Sequence, residues 1–314
     1  MNKNSKKYDK MKKILLFSLL LFFVGAEVSS AEELTVASFN IRYHNSSDSI
    51  KGNGWKQRCP VICNLIRFNN FEVFGAQEVL HDQLQDMLAG LPGYNYVGVG
   101  RDDGKTKGEY APIFYQKEKF EVLASGHFWL SEITDKPNKG WDAALPRICT
   151  WAKLKTRDTG FEFLFFNLHM DHIGIEARKN SAKLVLKKIT DMNANTPVVL
   201  TGDFNVDQHS PNYAVLEGSD LLDDAYKTAK IRYALNGTFN DFKPDSKTDS
   251  RIDHVFVSPS FTVERYGVLT DTYRAEIAES KSEKSGNFPK EVSLTKYVAR
   301  TPSDHFPVKV VLSF

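Results

Sequence analysis

Apolar positions along this chain change their spacing from segment to segment, and the spacing predicts the elements. Residues 34–41 (LTVASFNI) alternate and predict a strand. Residues 55–68 (WKQRCPVICNLIRF) instead place Val61, Ile62, Leu65 and Ile66 at helical spacing, despite Pro60. FEVFGAQEV (71–79) predicts a buried strand, followed by an amphipathic helix that carries Leu84, Met87 and Leu88. Strands are predicted at 94–99, 110–116, 120–131, 147–155 and 161–168, then a helix over about 174–192 with Ala182, Leu184, Val185, Leu186 and Ile189 inward. TPVVLTGDFN (196–205) predicts a strand running into a turn, and 252–258 and 306–312 are further strands. Long helices separate only some of the strands, while consecutive strands fill the middle. That order predicts an α/β fold, a four-layer α-β-β-α sandwich in which two mixed sheets pack face to face with helices outside. Residues 275–301, polar and lysine-rich around SKSEKSGN, are expected to be an inserted surface loop.

The start of the chain does not fit this pattern. Lys12 and Lys13 precede an eleven-residue apolar-rich run, Ile14 to Val24, and small residues follow at Ser29, Ser30 and Ala31. These features predict a signal peptide over residues 1–31 and a single catalytic-sized domain over 32–314. The run is well short of the ~20 residues that span a bilayer. No stable membrane anchor is therefore expected, and the mature protein is expected to be exported, periplasmic or secreted, and monomeric.

Setting that segment aside changes the charge. Six of the 41 basic residues and two of the 39 acidic ones lie within 1–31, leaving 35 and 37, a net charge near −2. A protein that grips nucleic-acid backbones usually carries a clear positive surplus, so duplex DNA is disfavoured as a substrate. Cys59, Cys63 and Cys149 make a poor disulfide framework and lack zinc-site spacing, and they read as small core residues.

Six short segments place acids, amides or histidines at the mouths of strands: SFN (38–40), QE (77–78), NLHMD (167–171), TGDFN (201–205), RIDH (251–254) and SDH (303–305). In TGDFN, alternate residues of an extended segment point the same way, so Asp203 and Asn205 face one substrate. A carboxylate there can align water or hold a metal, and an amide can stabilise charge on a phosphoryl oxygen. Taken alone, an Asp-x-Asn is more often a turn device. Glu78 argues harder, because an unpaired carboxylate ending an apolar strand is expensive unless a cation meets it. That cation is either a side chain or a hard metal ion.

Together and in this order, the segments resemble those of the endonuclease/exonuclease/phosphatase superfamily, over essentially the whole mature chain from Phe39 to Val310. GRDDGKTKGEYAPIFY (100–115) with WDAALPRICTWAKL (141–154) resembles a group of secreted bacterial members. The resemblance implies a metal-dependent phosphoester hydrolase. It assigns Asn40, Glu78 and Asp304 to the metal, His305 to the scissile phosphate, and Asp253 to the carboxylate that orients His305. It assigns Asp203 and Asn205 to the nucleophilic water and a phosphoryl oxygen. His169 becomes a second active-site histidine, Glu109 its supporting acid, and Arg147 a phosphate contact. Oxygen and amide ligands suit Mg2+ or Mn2+, and a His–Asp pair moves protons near neutral pH.

Departures from the deoxyribonuclease branch shape the expected substrate. Leu80 stands where that branch carries an arginine that enters the minor groove, and KTKGE (105–109) lacks its sugar-stacking tyrosine. The expected substrate is a phosphorylated small molecule, a phospholipid head group in a sphingomyelinase-like reaction, or single-stranded nucleic acid. Trp129, Trp141 and Trp151 either line a pocket or pack between sheets. The alternative from another class is a binding protein that keeps the fold without the chemistry. Its usual mark, a missing metal carboxylate or SDH histidine, is absent here.

Overall fold

The computed structural model describes residues 32–193, 195–277, 282–283 and 286–314, so the expected signal peptide lies outside the described residues. In chain order the elements are β1 (Glu33–Asn40), α1 (Ser46–Ile50), α2 (Trp55–Phe68), β2 (Val73–Gln77), α3 (His81–Gly90), β3 (Tyr94–Val97) and β4 (Ile113–Gln116). There follow β5 (Phe120–Trp129), β6 (Ile148–Thr156), β7 (Glu162–His169), α4 (Ile175–Asn193), β8 (Val198–Asp203), α5 (Pro211–Glu217), β9 (Asp223–Asp224) and α6 (Ala225–Thr228). The remainder is β10 (Ile231–Tyr233), β11 (Asp253–Val257), β12 (Thr262–Val268) and β13 (Val308–Ser313).

Thirteen strands make two mixed sheets, ordered β10-β12-β13-β1-β2-β4-β3 and β5-β6-β7-β8-β11-β9. The pairs β1–β2, β7–β8 and β10–β12 are parallel. Three buried clusters explain the layering. Val36, Val73, Phe165, Val199, Val255 and Val310, drawn from both sheets, form one core between them. Phe39, Phe74 and Ala76, on the opposite pleat of the first sheet, meet Ile62, Ile66, Leu84 and Met87 of α2 and α3. Leu164, Phe166 and Leu200, on the opposite pleat of the second, meet Ala182, Val185 and Ile189 of α4. Both central sheets are thus apolar on two faces, as strands covered on both sides must be. The fold is the expected α-β-β-α sandwich.

Two parts of the sequence reading need correction. Strand β12 was not anticipated, because its pairing with β13 shifts register between Val263 and Arg265. The bulge spaces the buried Val263, Tyr266 and Val268 by three residues and then two, which hides the alternation. Residues 275–301 are not a plain loop: Tyr273–Ala275 pairs with Val298–Arg300, and Ser282–Glu283 with Leu294–Thr295. Cys59, Cys63 and Cys149 are free thiols, the last two buried.

Candidate active site

Pleat parity builds the site. Along β1, the residues facing the other sheet run Leu34, Val36, Ser38, Asn40, and along β7 they run Phe163, Phe165, Asn167, His169. Along β8 they run Val199, Thr201, Asp203. Each strand is therefore apolar deep in the sandwich and polar towards one end. The intermediate layer is a buried hydrogen-bond network in which Gln77 Oε1 alone of the Gln77 amide atoms has no partner among the described residues. Gln77 Nε2 donates to Asn167 Oδ1 at 2.7 Å and to Ser38 Oγ at 3.2 Å, and Thr201 Oγ1 donates to Asn167 Oδ1 at 3.1 Å. Asn167 Nδ2 donates across to the carbonyl of Ala76 at 2.7 Å. Gly75 belongs to this layer because a Cβ there would lie 2.2 Å from Asn167 Oδ1.

Above this floor the carboxylates converge. Asn40 Nδ2 donates to Glu78 Oε1 at 3.1 Å and to Asp203 Oδ2 at 3.0 Å, so one amide clamps acids from both sheets. Glu78, just past β2, has φ of 60° and also accepts from the Tyr43 backbone N–H at 3.1 Å. Asn205, two residues past β8, has φ of 50°, and its own N–H caps Asp203 Oδ1 at 2.9 Å. Such left-handed conformations are unfavourable for side-chain-bearing residues, and here two of them lie at the convergence. His305 Nδ1 lies 2.8 Å from Asp253 Oδ2, and its Nε2 lies 3.8 Å from Asp203 Oδ2. Asp304 meets Arg42 at 3.5 Å.

Two buried side chains hold the loops that carry these groups. Arg58 of α2 donates from NH1 to the carbonyls of Ile41 (2.6 Å) and Pro302 (3.0 Å), and from NH2 to that of Arg42 (3.1 Å). It therefore ties the loop after Asn40 to the loop before Asp304. Burial lowers its pKa to about 10, which leaves it charged. Gln83 links the Arg42 carbonyl to the N–H groups of His44 and Leu80.

A second group lines the other wall. His169 Nε2 lies 3.6 Å from Asp203, and its Nδ1 lies 3.6 Å from Glu109. Arg101 grips Glu109 with two parallel bonds of 2.7 and 2.8 Å. Arg147 lines the cleft but is only 4% exposed. Its Nε donates to Asp171 at 3.3 Å, its NH2 lies 2.9 Å from His172 Nδ1, and its NH1 has no partner among the described residues. The cleft has a volume of about 540 Å³.

This concentration of acids sets the electrostatics. Burial, then the charge of Asp253, pushes Asp203 up to about 7, and burial with Glu78 nearby pushes Asp304 up to about 6. Burial alone would lower His305, but the charge and hydrogen bond of Asp253, with Asp203 and Asp304, hold it well above the usual histidine range. Burial, reinforced by Arg147 and Arg101, holds His169 well below it. An excess of buried negative charge of this kind fits a bound cation. Ligand atoms of Glu78, Asp203 and His305 lie within 4.8 Å of one another.

Among the residues expected from sequence, Asn40, Glu78, Asp203, Asp253, Asp304 and His305 come together from both sheets. Glu109, His169, Asn205 and Arg147 line the same cleft. Sequence reasoning did not single out Arg42, Arg101, Phe239 or Asp241, and it left His172 outside the site. Arg42 and His172 sit within three residues of Asn40 and His169, so proximity to the motifs was a usable signal. Phe239 packs edge-on to His305 at 5.1 Å and carried no such signal. Trp129 is buried with its Nε1 on the Arg101 carbonyl, and Trp151 packs with the core on the α4 side. None of Trp129, Trp141 and Trp151 lines the cleft.

Comparison with known proteins agrees with this geometry. Residues 37–305 match the endonuclease/exonuclease/phosphatase family. A family protein from Bacteroides thetaiotaomicron is 55% identical, with a TM-score of 0.84 over 91% of this chain and 99% of that one. A mannosyl-6-phosphatase of the same organism is 56% identical, with a TM-score of 0.83 over 90% of this chain and all of that one. Drosophila melanogaster nocturnin is 25% identical over 190 residues. The curated relatives are longer, and the chain spans 28%, 33% and 44% of their lengths. The family match takes in most of the chain, which therefore belongs to the endonuclease/exonuclease/phosphatase family, whose members are phosphoester hydrolases.

Proposed function

We propose that this enzyme is a Mg2+- or Mn2+-dependent phosphomonoesterase that releases phosphate from the 6-position of a hexose, and that it acts outside the cytoplasm. The observation that carries the substrate is the 56% identity with the mannosyl-6-phosphatase over the whole of that protein. Export rests on the basic start and short apolar run of residues 12–24.

The residues present suit this chemistry. A divalent cation held by Glu78, with Asp203 and the Asn40 amide beside it, would offset the negative charge that makes a phosphate resist attack. Carboxylate oxygens favour a hard ion over zinc. Asp203, held by the Asn40 amide and by the N–H of Asn205, accepts a proton from the attacking water. His305, kept protonated by Asp253, donates a hydrogen bond to a phosphoryl oxygen. The water oxygen bonds to phosphorus, the phosphorus–oxygen bond to the sugar breaks, and the sugar oxygen leaves with a proton. Both imidazoles lie within 3.8 Å of Asp203, so the proton taken from water has a short route to the leaving oxygen.

The test is phosphate release by the purified protein with Mn2+ and with EDTA, on mannose 6-phosphate, an aryl phosphodiester, sphingomyelin and single-stranded DNA. The expected result is metal-dependent turnover of the sugar monoester above the others. Turnover of a diester or of sphingomyelin with none of the monoester would replace this reading by the nuclease or phospholipase one.

A further inference from the structure

We infer that His172 is a specificity-determining residue that reads a hydroxyl of the leaving sugar, with the buried Arg147–Asp171 pair as the device that fixes its orientation. The inference rests on the sugar-phosphatase reading above and adds a residue to it.

The argument begins with what surrounds Arg147. Its partner Asp171 is buried and is itself fixed by the backbone N–H groups of Gly174 (2.8 Å) and Ile173 (3.0 Å) on one oxygen. The other oxygen accepts from Arg147 Nε and from the Leu145 N–H, both at 3.3 Å. A buried ion pair is weak as a source of stability, because desolvation offsets most of the attraction. What this pair does achieve is to aim one N–H: Arg147 NH2 points at His172 Nδ1, 2.9 Å away.

An arginine only donates, so Nδ1 of His172 must accept, and the ring proton of the neutral imidazole must sit on Nε2. His172 is exposed and lines the cleft, whereas Arg147, which also lines it, is almost wholly buried. The one end of the Asp171–Arg147–His172 chain that meets solvent is therefore a single oriented donor. It lines the same cleft as His169, Glu109 and His305. A neutral donor at an exposed rim suits an uncharged acceptor, and a sugar hydroxyl is such a group. Because this bond is made equally in the bound substrate and in the transition state, its loss falls on KM rather than kcat.

The experiment compares kcat and KM for mannose 6-phosphate and for an aryl monophosphate, which has no hydroxyl to read. For His172→Ala, the ratio of the two kcat/KM values is expected to fall about tenfold, mainly through a raised KM for the sugar ester. His172→Asn is expected to restore most of the ratio, since its Oδ1 can accept from Arg147 while its Nδ2 donates. Equal losses on both substrates, or no rescue by asparagine, would overturn the inference while leaving the phosphatase reading intact. A wild-type enzyme that cleaves the aryl ester and no sugar phosphate would overturn both.

Discussion

The Nδ1 of His305, just ahead of β13, lies 2.8 Å from the Oδ2 of Asp253, the first residue of β11, and the pair joins the two sheets across the mouth of the sandwich. Both residues are buried, and among the described residues no other cation is paired with Asp253. Arg251, the alternative ion-pair partner nearest in sequence, instead pairs with Asp224 at 3.3 Å and lies over the ring of Tyr226.

From this coupling, His305→Ala should lower kcat by about 10²–10⁴ with little change in substrate binding. Asp253→Asn should cost nearly as much, and the double variant should be scarcely worse than His305→Ala, because the two act as one unit. Steady-state kinetics at saturating metal decide it. Losses that multiply in the double variant would show that the residues work separately.

Glu78, proposed to hold the cation, has an unfavourable backbone, its φ being 60°. An L-residue in that region costs about 1–2 kcal/mol relative to the right-handed helix, and glycine does not. Glu78→Gly and Glu78→Ala should both be inactive. In EDTA the glycine variant should melt no lower than the alanine variant, which is the reverse of the order in a helix or strand. Thermal unfolding with and without Mn2+ tests both parts, since neither variant should gain the wild-type stabilisation by metal.

Asp203 gives a pH dependence whose sign is fixed. Its carboxyl is raised from 3.8 unfolded to about 7 folded, so between those values the folded state holds a proton that the unfolded state has lost. Its contribution to stability is full below pH ~4 and is lost as the pH rises towards 7. In metal-free protein, Asp203→Asn should therefore gain stability relative to wild type as the pH is raised from 5 to 7.5. A difference in Tm that is constant across that range would contradict the shift.

Gly75 is the closest-packed point of the polar floor, where a Cβ would lie 2.2 Å from Asn167 Oδ1 and 2.3 Å from Thr201 Oγ1. Both neighbours are buried and hydrogen-bonded, so neither can yield freely. Gly75→Ala should destabilise by about 1–3 kcal/mol through overpacking. It should also lower kcat, because Asn167 and Gln77 support the strand ends that carry the acids. Denaturant unfolding together with kinetics is the measurement, and a stable, fully active variant would count against this role for the floor.

The local elements and the kind of chemistry are legible along the chain. The alternation of β1, β7 and β8 and the helical spacing of α2 and α4 are short-range properties, visible wherever a segment buries one face or two. The acids and histidines were legible because polar residues ending apolar strands are costly without a purpose. A bulge was enough to hide β12, since one inserted residue breaks the period that reveals a strand. Which of these groups meet depends instead on how the two sheets pack. Asn40 and Asp203 are 163 residues apart, and their 3.0 Å contact exists because two separately built sheets pack with their polar ends in line. The tautomer of His172 and the raised pKa of Asp203 have the same origin. Each is set by residues distant in sequence, Arg147 for His172 and burial with Asp253 for Asp203, and neither can be read from a segment alone.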